Sequence, residues 1–252
     1  MRITCVLNQK GGIGKTTTAA ALSAGLALRG YKPLAIDADP QCNLSYALDC
    51  IGSEQDPTLY DVLRGTSKAA EAVRTTAQCD AISGDIRLAA ADIEFSATGR
   101  EYRLREALEP IKDYSHIIID CPPGLGIMTV NALTAANDVI VPCGADIFSL
   151  QGLQQLIDTI NMVQRYSNKD LKIAGLLITR KPPRGIATRE LMDAIRTRAG
   201  TLSINFYETT IREAAAIREA QITQESIFIS HPKAPVTGDY NNFIDEYLKQ
   251  EA

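Results

Sequence analysis

The stretch Ile3-Thr4-Cys5-Val6-Leu7-Asn8-Gln9-Lys10-Gly11-Gly12-Ile13-Gly14-Lys15-Thr16-Thr17 decides the fold. Ile3–Leu7 is an apolar run of the kind a strand buried on both faces presents. A glycine-rich loop follows it. An Ala- and Leu-rich helix from about Lys15 to Leu28 comes next, closed by Gly30. Strand, glycine loop and helix in that order are the context of a phosphate-binding loop. Glycines let the backbone turn its N–H groups toward a phosphate without interference from a Cβ, and the helix N-terminus adds partial positive charge. Gly11, Gly12, Ile13, Gly14, Lys15, Thr16 and Thr17 are therefore the candidate nucleotide-binding set. Lys15 reaches for the β- and γ-phosphates, and the Thr16 hydroxyl is placed for Mg²⁺. The general pattern has glycine where Gln9 stands; here a second lysine, Lys10, follows inside the loop. Its blander reading is a surface charge.

Working outward, strands and helices alternate. Leu34–Ile36 reads as a second strand ending at Asp37, His116–Asp120 as a third, Val139–Val141 as a fourth stopped by Pro142, and Lys172–Thr179 as a fifth. Leu150, Leu153, Ile157, Ile160 and Val163 recur at helical spacing and form one apolar stripe, which is core packing. Ser53–Pro57, Lys181–Gly185 and His231–Gly238 read as loops, the last before a final helix over Asp239–Lys249. No repeat, low-complexity tract or linker interrupts the pattern. The expectation is one α/β domain over residues 1–252, a doubly wound, mostly parallel sheet flanked by helices, of the P-loop NTPase class.

Three carboxylates stand at predicted strand ends, where ligands bind in open α/β sheets. Asp37 and Asp39 lie in Asp37-Ala38-Asp39-Pro40-Gln41. Alone, the pair also reads as an Asx turn or as a cap for a helix starting near Asn43. Asp120 ends Ile117-Ile118-Ile119-Asp120, the pattern of a carboxylate near Mg²⁺. With Thr16, these three are the candidate metal residues.

Lys10-Gly11-Gly12-Ile13-Gly14-Lys15-Thr16 resembles the deviant Walker A motif of the ParA/MinD superfamily. Asp37-Ala38-Asp39-Pro40-Gln41 resembles that family's switch I, and Asp120-Cys121-Pro122-Pro123-Gly124 its switch II. Leu133–Ala136, Val139–Pro142, Leu150–Leu153 and Gly175–Thr179 look like the ParA/Soj partition branch, so the resemblance covers nearly the whole chain. It implies that Lys10 reaches across an ATP-dependent homodimer to the partner's nucleotide, much as an arginine finger does. It implies that Asp39 positions the attacking water and that Asp37 supports the Mg²⁺ shell. Lys10, Lys15 and Asp39 are thus the implied catalytic residues, with ATP and Mg²⁺ as cofactors. Two departures stand out. The family's Pro-Arg pair near the adenine is replaced by Ile211-Arg212-Glu213, and its Arg-Leu-Ser-Glu-Ala stretch by Ala216-Ile217-Arg218-Glu219-Ala220. Arg218 is the candidate substitute.

The resemblance further implies a slow, partner-stimulated ATPase that binds DNA without sequence preference and partitions a plasmid, chromosome or mobile element with a ParB-like protein. The basic segment Arg180-Lys181-Pro182-Pro183-Arg184, with Arg189 and Arg218, is the candidate DNA surface; a solvated face is the alternative. Composition leans mildly the other way, since a net charge of −4 and a pI near 5.3 are unlike an electrostatic DNA binder. The phosphate loop begins at residue 8, which leaves no room for a helix-turn-helix ahead of it. Two alternatives remain: a MinD-like or other cargo-positioning switch without DNA binding, and an ATP-dependent synthase of cofactor biosynthesis on the same fold. The tail, with Asp239, Asp245 and Glu246 against Lys249, suits anionic lipid poorly, and no glutaminase-like Cys/His pairing stands out. The six cysteines are scattered singly and suggest neither zinc nor a redox pair. With no secretory signal and no long apolar run, the expected location is cytoplasmic, on the nucleoid when ATP is bound.

Overall fold

In the computed structural model, residues 1–182, 185–202 and 204–250 are described, with backbone only at 147–151, 186 and 187. The first half of the chain runs β1 (Arg2–Val6), α1 (Lys15–Leu28), β2 (Pro33–Asp37), α2 (Asn43–Ala47), α3 (Leu59–Arg64), α4 (Ala69–Ala72), β3 (Val73–Thr75), β4 (Asp80–Ile82), α5 (Ala91–Glu94), α6 (Arg103–Leu108) and β5 (His116–Asp120). It continues with α7 (Ile127–Ala135), β6 (Asp138–Gly144), α8 (Ile147–Tyr166), β7 (Lys172–Lys181), α9 (Ile186–Thr201), β8 (Phe206–Arg212), α10 (Ala215–Thr223), α11 (Ile227–Ser230) and α12 (Pro235–Lys249). The described strands form one sheet in the order β3-β4-β2-β5-β1-β6-β7-β8. All pairs are parallel except the β3–β4 edge pair.

Alternation along the strands divides the core into two layers. Cys5, Ile36, Ile117, Ile119 and Val141 face the layer built by α3 to α9. Val6, Ala35, Ile118 and Ile140 face α1, α2 and α10 to α12. This parity matters at the strand ends. Asp37 follows Ala35 and Asp120 follows Ile118 by two residues, so both carboxylates belong to the α1 side. On the far edge, α12 covers β8: Glu246 accepts the N–H groups of Glu208 and Thr209 at 2.8 and 3.1 Å, and Asp239 accepts that of Arg212 at 3.1 Å. An edge strand is shielded in this way from pairing with another chain.

The expected helix Lys15–Leu28 and strand His116–Asp120 have those bounds in the structure. In the stripe on α8, Leu153, Ile157, Ile160 and Val163 are buried; the Leu150 side chain lies outside the described residues. Several boundaries differ: β1 spans Arg2–Val6 instead of Ile3–Leu7, and β7 runs on from Thr179 to Lys181. The strand expected to stop at Pro142 runs on to Gly144. The N–H and C=O of one strand residue point to the same edge, and the Pro142 carbonyl accepts from Asn8 Nδ2 at 2.7 Å, on the β1 side. Since β1 pairs with β6 only as far as Ile140, the missing N–H falls where no ladder partner exists. The last helix starts at Pro235, not Asp239, because proline suits the first turn of a helix. The short strands β3 and β4, the antiparallel pair at one side of the sheet, were not expected. They carry three residues each, too few for a clear period.

Candidate nucleotide site

The loop after β1 turns through Gly12 (φ 72°) and Gly14 (φ 90°), both left-handed, before α1 opens at Lys15. An L side chain at either position would be strained. Lys15 is buried, and its ammonium donates to the Lys10 carbonyl at 3.3 Å. Burial pulls its pKa down, while Asp120 and Asp39 work in the opposite sense. The end of β7 lies against the loop. Thr179 Oγ1 donates to the Ile13 carbonyl at 2.6 Å. Arg180 Nη1 donates to the Gly12 carbonyl at 2.7 Å and Nη2 to Glu213 Oε1 at 2.9 Å. A cleft of about 830 Å³ opens over the loop; Lys15, Thr16, Asp39, Pro123, Arg218 and Gln221 are among its lining residues.

Asp37 and Asp120 are direct partners in the β2–β5 register, and Val6 flanks Asp120 on the other side. Their carboxyls are held differently. Asp37 Oδ2 accepts the N–H and hydroxyl of Ser45, both at 2.7 Å, and Oδ1 accepts the Asp39 N–H at 3.1 Å. Its pKa is nonetheless pushed up to about 6, chiefly by burial, with the Ser45 and Asp39 hydrogen bonds opposing and the Asp39 charge adding. Asp37 thus caps α2 and shapes the turn that carries Asp39, so the turn-and-cap reading of this carboxyl coexists with the functional one. Asp120 is different. Both its oxygens are buried and lack a hydrogen-bond partner among the described residues. Burial, then the Asp37 charge, raises its pKa well above the carboxylate range; the nearby Thr16 hydroxyl and Lys15 oppose this. Asp39 is buried at the cleft wall and accepts the Gln41 N–H at 3.0 Å.

A divalent cation fits this arrangement. A buried carboxylate with two unpartnered oxygens beside a second carboxyl is costly without a positive charge, and Lys15 supplies part of that charge. Among the described residues, no three His, Cys, Asp or Glu side chains converge as a metal cage. Mg²⁺ takes one or two protein oxygens and leaves the rest to water and phosphate, and the Asp120 carboxyl and nearby Thr16 hydroxyl offer such oxygens.

Lys10 Nζ forms an ion pair with Asp146 Oδ1 at 2.6 Å, immediately before α8. The residues expected at a DNA surface are dispersed. Arg180 braces the phosphate loop, Arg218 lines the cleft, and Lys181 Nζ donates to Thr210 Oγ1 at 3.3 Å. Arg189 is exposed on α9; Arg184 lies outside the described residues. Arg212 is engaged by Asp239 through Nε at 2.6 Å and Nη2 at 2.8 Å. Thr179, Ser45, Asn8 and Asp146 escaped the sequence reading. Of these only Thr179, at an anticipated strand end, carried a positional signal.

Fold and site together define a P-loop NTPase. The AAA domain family matches residues 1–173. Sporulation initiation inhibitor protein Soj of Bacillus subtilis is 36% identical over 237 residues, covering 92% of each chain. Chromosome partitioning protein ParA of Caulobacter vibrioides is 36% identical over 257 residues, covering 100% of this chain and 95% of that one. The chain belongs to the ParA/Soj-type partition ATPases. Among solved structures, cobyrinic acid a,c-diamide synthase from Mycobacterium smegmatis with bound ATP analog and magnesium has a TM-score of 0.83 at 32% identity, covering 100% and 96% of the two chains. McdA from Cyanothece in an ATP complex has a TM-score of 0.88 at 22% identity, covering 99% and 96%, which shows the shared fold.

Proposed function

We propose that the chain is a single P-loop domain that binds Mg·ATP, dimerises on it, and hydrolyses it slowly to drive partition of a DNA cargo. The observation that carries this is the division of labour between the two loop lysines. Lys15 is buried beside Asp120 and Asp39 and fills the role of the lysine for its own nucleotide. Lys10 instead places its ammonium on Asp146, with about a third of each side chain exposed. A pair this exposed is worth about 1 kcal/mol or less. A phosphate presented by a second subunit offers far more charge and outcompetes it.

In this reading the N–H groups of Gly12 to Thr16 and the Lys15 ammonium bind the β- and γ-phosphates. Thr16 and Asp120 hold Mg²⁺, which neutralises phosphate charge when bound. Asp37, saturated by Ser45 and Asp39 donors, acts from behind by fixing the Asp39 turn. Asp39 orients the attacking water, and Lys10 stabilises charge on the transferring phosphoryl group of the partner's nucleotide. Pro122 and Pro123, two and three residues after Asp120, carry the nucleotide state toward the dimer face.

The partition role comes from the relatives. Soj and ParA match this chain over nearly its full length, and the proposal extends to it a ParB-like partner that stimulates turnover, nonspecific DNA binding, and residence on the nucleoid with ATP. Exposed Arg189, together with Arg184, is the proposed DNA contact; Arg180 and Arg218, placed at the cleft, serve the nucleotide instead. No helix among the described residues is long and apolar enough to cross a membrane.

The test is binding to random-sequence duplex DNA across a salt series, with ATP and with ADP. ATP-dependent binding that weakens steeply with salt, and weakens further in Arg189→Ala, is expected. No binding in either state contradicts the DNA part and leaves the ATP-dependent dimer standing.

The likeness to a cobyrinic acid a,c-diamide synthase favours a second reading, ATP-dependent amide formation. Four of the six cysteines argue against a glutamine-hydrolysing version. Burial pushes the thiols of Cys42, Cys50 and Cys79 up to about 12, 11 and 12 and raises that of Cys5 well above its usual value, the opposite of an activated nucleophile. His231 is held by Glu219 and Ser230, and His116 packs on Tyr31 and Tyr247.

A further inference from the structure

The end of β7 holds two consecutive carbonyls of the phosphate loop, Ile13 through Thr179 at 2.6 Å and Gly12 through Arg180 at 2.7 Å. In a trans peptide the C=O of one residue and the N–H of the next point in opposite directions. Pulling the Gly12 carbonyl toward Arg180 therefore turns the Ile13 N–H the other way. Pulling the Ile13 carbonyl toward Thr179 does the same to the Gly14 N–H. No described residue accepts a hydrogen bond from either of these N–H groups, and they belong to the stretch that cradles phosphate.

Arg180 itself is in the left-handed region at φ 50°. That conformation is costly for a side chain with a Cβ and persists where the surroundings enforce it. Here it lies one residue before the end of β7, where the pairing with β8 shifts register, and the guanidinium lies over the loop. Glu213, on the turn between β8 and α10, holds the second guanidinium nitrogen at 2.9 Å. Gly12, Arg180 and Glu213 all line the same cleft.

We propose that Thr179 and Arg180 are positioning residues for the phosphate site: they set the two peptide planes that aim the Ile13 and Gly14 N–H groups at the nucleotide, with Glu213 anchoring Arg180. The ligand is the phosphate chain of a nucleotide, so the inference rests on the P-loop reading and is independent of dimerisation and DNA. It also gives Arg180 work that has no part in a DNA surface. The two bonds differ in kind. Thr179 is buried and its bond is internal, whereas the Arg180 side chain is 54% exposed and Glu213 51% exposed, so Arg180 can be altered without emptying the core.

The experiment is calorimetric titration of the full chain with ADP in the absence of Mg²⁺, on wild type, Arg180→Met, Arg180→Lys, Glu213→Gln and Thr179→Val. ¹⁵N amide spectra follow Ile13 and Gly14. Loss of a charge-assisted bond that orients a phosphate donor is expected to weaken ADP binding about ten- to a hundredfold in Arg180→Met. Arg180→Lys, with one ammonium for the Gly12 carbonyl, recovers part of this, and Glu213→Gln loses less than Arg180→Met. In Arg180→Met the Ile13 amide resonance is expected to move before ADP is added and to shift less on binding. Loss of fold alone moves neither selectively. If Thr179→Val does not fold, the half-exposed Arg180 variants decide. Wild-type ADP affinity and unchanged Ile13 and Gly14 shifts in Arg180→Met overturn the proposal. Failure of the wild type to bind ADP overturns the P-loop reading itself.

Discussion

Asp120→Asn is expected to make the nucleotide-free protein more stable and the magnesium-bound protein less responsive. Both Asp120 oxygens are buried without a hydrogen-bond partner, and Asp37 faces it across the β2–β5 ladder. A buried polar group without a partner costs about 1–3 kcal/mol, and more when charged. Burial forces a proton onto Asp120 in the ligand-free protein; asparagine is neutral without that uptake and keeps the shape, so a gain of about 1–3 kcal/mol is expected. In a chain of this size each kcal/mol moves the midpoint by about 2–4 °C, giving a rise of about 2–12 °C without ligand. With Mg·ATP at a hundred times its dissociation constant, wild type gains about 2.7 kcal/mol. Most of that gain is expected to vanish in Asp120→Asn, because the amide cannot balance a dication. Thermal unfolding of both proteins, alone, with ATP and EDTA, and with Mg·ATP, reads all of these quantities. A lower midpoint in the ligand-free variant, with its magnesium response intact, would refute the assignment of Asp120 as a metal carboxylate.

Further expectations follow from the same geometry. Lys15→Ala abolishes nucleotide binding by calorimetry; retained Mg·ATP affinity contradicts the phosphate-loop assignment. Asp146→Ala removes one partner of Lys10, held at 2.6 Å, and is expected to lower the ATP concentration needed for association, whereas Lys10→Ala spares binding and loses turnover; equal behaviour of the two variants counts against the trans role of Lys10. The folded-state pKa of Asp37 is raised to about 6 from 3.8, so the folded protein binds that proton more tightly than the unfolded chain. In EDTA this stability is fully present below about pH 4 and lost as pH rises through about 6, a change of about 3 kcal/mol at most. A denaturation series that is flat over this window in wild type contradicts the buried, high-pKa state of Asp37.

The fold was legible because β1, β2, β5, β6 and β7 are apolar on both faces, α1 is an Ala- and Leu-rich stretch closed by Gly30, and α8 carries a long periodic pattern. The phosphate loop was legible because its glycines and lysines lie within nine consecutive residues. What escaped was nonlocal or short. Asp146 meets Lys10 across 136 residues of chain and Arg180 meets Gly12 across 168; no local spacing encodes either contact. Arg180 illustrates the limit best: in sequence it sits in a basic run that reads as a DNA surface, and only its left-handed backbone near the end of β7 shows where its guanidinium goes. The continuation of β6 through Pro142 was hidden for a related reason, since it depends on where β1 departs.

The central claim is that ATP binding at this loop joins two copies of the chain through Lys10. The most direct measurement is the molar mass in solution, by sedimentation or light scattering, of the Asp39→Ala protein with Mg·ATP, with Mg·ADP and without nucleotide, and of the Asp39→Ala, Lys10→Ala double variant with Mg·ATP. The account predicts twice the chain mass for Asp39→Ala with ATP and a single chain in the other three cases. A monomer with ATP bound, or a dimer that ignores both the nucleotide and Lys10, would contradict it.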